Sequence, residues 1–138
     1  VYYNKAKYNL ASSGSSDYGT SWDSKVFDTI GLTYVPNTST YKNGFKVPKA
    51  GKYLIDVVIN FDNAGFTKDT ALYCYLNRNN VRQSRQQHAV NNYASPSFLF
   101  LNEANANDLF TVTLLQNCGA SVSITGSESR LNIIYLGA

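Results

Sequence analysis

Apolar and polar positions alternate with a period of two along most of this chain. From Tyr53 to Phe61 the positions Tyr53, Ile55, Val57, Ile59 and Phe61 share one face of an extended backbone, and Leu54, Asp56, Val58 and Asn60 share the other. β-Branched and aromatic side chains dominate the stretch, which suits a pleated, half-buried surface. A strand with only one covered face would be polar on the second, yet Leu54 and Val58 lie there. Both faces are therefore expected to be covered, one by the domain core and one by a partner chain. Pro48, which cannot donate to a ladder, and Gly51, which permits a turn, punctuate the entry from Gly44.

The same periodicity predicts further strands. Val1 to Leu10 alternates weakly, and Ser24 to Val35 reads as one strand with a bulge at Gly31. Thr70 to Asn77 places Leu72, Cys74 and Leu76 on one side and Tyr73 and Tyr75 on the other. Asn79-Asn80 reads as a tight hairpin turn, because asparagine tolerates positive φ. Val81 to Val90 follows as a polar strand. Ser97 to Asn102 sets Phe98 and Phe100 against Leu99 and Leu101. Leu109 to Gln116 aligns Phe110, Val112 and Leu114, and Leu131 to Leu136 closes the chain. Loops are expected over Ala11–Thr20, Pro36–Asn43, Asp62–Asp69, Asn91–Ser95 and Asn117–Ser129. No segment carries a helical period, so short strands between Gly, Asn, Pro and Ser turns predict an antiparallel β-sandwich or barrel.

Composition narrows this picture. The 138 residues suit one domain with its own core, and charged residues reach only 15%. Eleven tyrosines and sixteen asparagines give a surface rich in rigid amphipathic and hydrogen-bonding groups, as in adhesive surfaces. A sandwich with polar, Asn-rich loops accounts for them equally well. No apolar run is long enough to span a membrane as a helix, and no signal peptide opens the chain. The absence of a starting Met suggests the C-terminal part of a longer protein or a processed form. A net charge of +3 is too weak to argue for nucleic acid. Cys74 and Cys118 have no metal-ligand spacing and the single histidine, His88, has no triad context, so neither a metal site nor a catalytic centre is implied. The acidic residues lack calcium-loop spacing, and no cofactor is implied. Asn37-Thr38-Ser39 is the one Asn-x-Ser/Thr site.

The run Phe45-Lys46-Val47-Pro48-Lys49-Ala50-Gly51-Lys52-Tyr53-Leu54-Ile55 resembles the C1q-type pattern of the C1q/TNF superfamily. The order of other segments agrees: Val26-Phe27-Asp28-Thr29 with Tyr41 and Gly44, then Ala71 to Asn79, Leu99-Phe100-Leu101 with Asp108 and Val112, and Leu131 to Leu136. Two positions depart from the pattern, Ile133 and Asn107, where the family has Gly. The resemblance implies an all-β, ten-strand jelly roll spanning residues 1–138. It also implies a homotrimeric, non-enzymatic head, extracellular or exposed on a virion, spore or cell surface, that binds a glycan or a cell-surface protein. Structural trimerisation or decoration of a virion, phage fibre or spore coat is the alternative role. Some members bind calcium, but no residues here map onto that site.

Further expectations follow from the resemblance. It turns the leucines of the Ser97–Asn102 strand toward the core, leaving Phe98 and Phe100, with Leu54 and Val58, to line a threefold interface; the alternative, phenylalanines in the core and leucines outward, still leaves an apolar face needing cover. It makes the strands of Cys74 and of Leu109–Gln116 neighbours, which would allow a disulfide to Cys118; two unpaired thiols are favoured, Cys74 acting as a small core hydrophobe. It puts Val81–Val90 at a sheet edge. Arg78, Arg82 and Arg85 with His88 form the one cationic concentration, suited to an acidic glycan or to protecting that edge. Tyr73 and Tyr75 suit ligand contact or simple cover of the sheet, and the residues leave both readings open. Nucleic-acid recognition is disfavoured because no aromatic residues interleave with these arginines, and membrane insertion is not expected.

Overall fold

The structure, a computed structural model, describes residues 2–3, 8–10, 18–19, 22, 24–36, 43–61, 70–90, 95–117, 122–124 and 128–138. Among the described residues there are thirteen strands: β1 (Tyr2–Tyr3), β2 (Tyr8–Leu10), β3 (Tyr18–Gly19), β4 (Ser24–Lys25), β5 (Thr33–Val35), β6 (Gly44–Lys46), β7 (Gly51–Val58), β8 (Thr70–Arg78), β9 (Val81–Val90), β10 (Ser97–Ala104), β11 (Leu109–Gln116), β12 (Val122–Ile124) and β13 (Arg130–Gly137). Every pairing among them is antiparallel. Sheet I has the order β10-β7-β13-β1-β4, and sheet II the order β5-β6-β11-β8-β9, with β3 on β11 and a separate β12-β2 pair. The ten strands of the two main paths form a jelly roll, as the resemblance implies. Tyr41, Cys118, Asn37-Thr38-Ser39 and the loops expected over 11–17, 62–69 and 91–94 lie outside the described residues.

The organising stretch behaves as its alternation requires. Tyr53, Ile55, Val57 and Ile59 are fully buried, while Leu54, Asp56 and Val58 are half-buried on the second face. Sheet II answers with Leu72, Cys74 and Leu76 from β8 and Phe110, Val112 and Leu114 from β11, which meet them in one core. Ile133, one of the two departures, sits opposite Ile55 and packs against that core.

The turn between β6 and β7 explains why its residues occur together. The Tyr53 hydroxyl donates to the Lys49 carbonyl at 2.6 Å, and the Tyr135 hydroxyl donates to the Ala50 carbonyl at 3.1 Å. The two rings lie 5.2 Å apart, so one aromatic pair ties the turn to sheet I from both flanks. Gly51 has φ +144°, and a Cβ there would meet the Gly137 carbonyl and the Tyr135 ring, the latter at 2.7 Å. A Gly51→Ala substitution is therefore expected to destabilise the domain by more than about 1 kcal/mol, measured by chemical denaturation. Unchanged stability would show that the turn relaxes freely.

Four elements differ from the sequence reading. Tyr18–Gly19, expected within a loop, is a short strand on β11, and Val1–Leu10 holds two strands, β1 in sheet I and β2 paired with β12. Ser24–Val35 is not one strand: β4 pairs in sheet I and β5 in sheet II, and the segment between them crosses the sandwich. Asp28 causes the break, its Oδ1 accepting from the backbone N–H of Ile30 at 3.1 Å and of Gly31 at 2.8 Å. Such a local side-chain bond competes with ladder formation. Val122–Ile124, expected within a loop, is a short strand on β2. The Asn79-Asn80 turn is as expected, with φ of 50° and 65°.

Cys74 is free and fully buried between Leu72 and Leu76. Burial pushes its thiol well above the ordinary range and raises the phenol of Tyr53 as well. Both groups keep their protons in the folded state at pH values where the unfolded chain releases them. Their share of stability is thus full below the unfolded values and falls as pH rises, from about 9 for Cys74 and about 10 for Tyr53. Denaturation midpoints should decline above about pH 9, and less steeply in Cys74→Ala. Parallel pH profiles for the two proteins would overturn the assignment to Cys74.

Candidate functional site

Two surfaces of the sandwich carry the residues singled out by sequence. The first is the outward face of sheet I. Directly opposed residues of antiparallel strands share a face, so the register assigns rows across β10, β7 and β13. Leu101, Leu54 and Ile134 make one row; Leu99, Asp56 and Asn132 the next; Ser97, Val58 and Arg130 the third. Leu101 is 65% exposed, Leu99 54%, Ile134 46% and the neighbouring Leu136 54%. Within this apolar band Asp56 is held by its own sheet, its Oδ2 accepting from Asn132 Nδ2 at 2.9 Å. Lys52 and Glu103, 4.0 Å apart, close one end of the band and Arg130 the other.

Phe98 and Phe100 are not on this face. They oppose Val57 and Ile55 and are 0% and 2% exposed, inside the core. The expected orientation of this strand is reversed: the leucines point out and the phenylalanines in. Leu54 and Val58 do lie on the outward face, half-buried. Sequence reasoning did not single out Ile134 and Leu136, and placed Leu99 and Leu101 outward only as the alternative orientation of the strand. One signal was present, because Ser97 and Glu103 share the leucines' parity and Ala104 shares that of the phenylalanines.

β9 is the terminal strand of sheet II, as expected, and the inward side chains of this polar strand bridge to β10. Gln86 accepts from the Leu99 N–H through Oε1 at 3.2 Å and donates through Nε2 to the Leu99 carbonyl. His88 Nε2 lies 2.8 Å from the Ser97 carbonyl, with its ring edge-on to Phe98 at 4.9 Å. His88 is thus an exposed structural latch.

The second surface is the outward face of sheet II. Tyr73 and Tyr75 point away from the core, their rings nearly parallel with centroids 6.4 Å apart. The Arg82 guanidinium lies over Tyr75 at 3.6 Å and that of Arg85 over Tyr73 at 5.6 Å. Strict alternation would put Arg82 and Arg85 on opposite faces. A bulge prevents this: Leu76 opposes Ser84 while Asn77 opposes Arg82, so Gln83 is the extra residue and both arginines reach the outer side. Aromatic and cationic groups therefore do interleave here, contrary to the sequence reading. Arg78 stands apart at the end of the sandwich. It donates to the Glu103 carbonyl, lies 3.8 Å from Asp108, and lines a cleft of about 380 Å³ with Gly51, Lys52 and Glu103.

Among the described residues no group of three or more His, Cys, Asp or Glu could hold a metal ion, and no helix is long and apolar enough to cross a membrane. No protein-family model matches the chain, and no curated protein does so. Among solved structures, that of the Eiger TNF from S. frugiperda is similar at 14% sequence identity, covering 88% of this chain and 90% of that one, with a TM-score of 0.46. A likeness of that strength carries no functional argument, and the jelly roll rests on the strand order itself.

Proposed function

We propose that the domain is a non-enzymatic, homotrimeric recognition head of the C1q/TNF-like kind, displayed outside the cell or on an exposed particle surface. In this reading the outward face of sheet I lines the threefold axis and sheet II faces the surroundings. The observation that carries it is the row Leu101–Leu54–Ile134, flanked by Leu99 and Leu136, open to solvent in the single chain. Soluble monomers rarely expose contiguous apolar bands of this kind. Two further copies of the same chain supply a matching surface without any other component, and closed cyclic symmetry leaves none of it uncovered. The sequence resemblance specifies three copies rather than two.

Light scattering on the purified chain at micromolar concentration tests the assembly. The expected mass is three times the 15.3 kDa of one chain. A monomer across that range would remove the assignment of sheet I as an interface.

A further inference from the structure

We propose that the Tyr73–Tyr75–Arg82–Arg85 surface on sheet II binds an extended acidic glycan through its sulfate or carboxylate groups. The proposal builds on the reading of the domain as a recognition head and supplies the chemistry of its ligand. It starts from a segregation of charge. The strands of sheet II, β3, β5, β6, β8, β9 and β11, contain no Asp or Glu at all, yet carry Lys46, Arg78, Arg82 and Arg85. The strand acids, Asp56 and Glu103, both belong to sheet I. Among the described residues no carboxylate pairs with Arg85. Arg85 thus stands exposed on a sheet whose own strands contribute no carboxylate.

The stacking adds organisation. A guanidinium lying on an aromatic face keeps its N–H donors at the rim, pointing away from the ring, where a planar oxyanion can take two of them at once. Its long side chain is already held, so less rotamer freedom is lost when the ligand arrives. The Gln83 bulge leaves Arg82 and Arg85 two ladder positions apart, about 7 Å along the strand. Gln87, outward and exposed opposite Tyr73, and the phenols offer partners for sugar hydroxyls between the anionic groups. A nucleic acid fits less well. Single-stranded binding relies on bases stacking on open rings, whereas Tyr75 is only 6% exposed and its face is taken by Arg82.

The test measures binding of a heparin-derived oligosaccharide, a hyaluronan oligosaccharide and a single-stranded oligonucleotide of equal charge to the full chain. Oligomeric state is read on the same samples by light scattering. Saturable binding of at least one saccharide is expected, weakening as salt rises. Arg85→Gln and Arg82→Gln should each weaken it by about tenfold, and Arg85→Lys should restore only part. Lys25→Gln, on sheet I, should leave it unchanged. Arg85 is exposed, so its variant remains informative if Arg82→Gln impairs folding. Absence of saturable saccharide binding, an affinity indifferent to Arg85→Gln, or tighter binding of the oligonucleotide would each overturn the proposal. A trimer that ignores both saccharides would remove this ligand and leave the assembly reading standing. A monomer that binds them would do the reverse.

Discussion

Phe98→Ala and Phe100→Ala are each expected to cost the fold about 3–5 kcal/mol, and the double variant is expected not to fold. Both rings are sealed in the core against the Val57 and Ile55 rows, and Phe98 also receives the edge of His88. Alanine leaves a cavity bounded by two packed sheets, which cannot collapse without shifting β7, the central partner of both β10 and β13. A domain's whole stability is about 5–15 kcal/mol, so a single substitution removes a large part of it. For a chain of this length, that corresponds to roughly 10 °C or more in melting temperature. The contrast is Leu99→Ala/Leu101→Ala one residue along each time, which should keep the native β-signature by circular dichroism. If the leucine variant unfolds and the phenylalanine variants do not, the strand is turned the other way.

Leu101→Asp/Ile134→Asp is expected to leave a folded monomer. Both side chains are solvent-accessible in the single chain, so a carboxylate there costs the fold little. In the trimer each would be taken from water beside Leu54, in a band that otherwise contributes roughly 1.5–3 kcal/mol for each side chain it buries. Three copies of two carboxylates on one axis would add like-charge repulsion to that loss. Gln87→Asp, exposed on the opposite sheet, should leave the mass unchanged. Light scattering and circular dichroism on the same samples separate the outcomes. A double variant that remains a stable trimer would show that subunits meet elsewhere.

The central strands were legible because their alternation is anchored by residues with one possible place. Asp56 marks the outward side of β7, and Leu72, Cys74 and Leu76 mark the inward side of β8. β10 was not legible in the same way. In Phe-Leu-Phe-Leu both parities are apolar, so only the flanking Ser97, Glu103 and Ala104 hint at the face, and the resemblance supplied the wrong one. The register with β7 decides it. The arginine–tyrosine surface was half legible. Its residues could be named from composition, but the bulge at Gln83 that brings Arg82 beside Arg85 depends on pairing with β8, which a single strand's sequence does not encode. The β4–β5 crossing was hidden for a related reason: a lone Asp28 outweighed a run that otherwise reads as strand.

The Gln86 bridge has a consequence for how copies of this chain meet. An amide side chain that offers one acceptor and one donor to Leu99 imitates the single residue of a strand that would otherwise pair there. With His88 at the Ser97 carbonyl, two successive odd positions of β10 are occupied by side chains of the same molecule. An incoming peptide would have to displace both before it could extend the sheet, and it would meet the polar flank of β9 as it did so. This edge of sheet I is thus shielded against strand addition at Ser97 and Leu99, and the proposed trimer would use the face of that sheet rather than its edge.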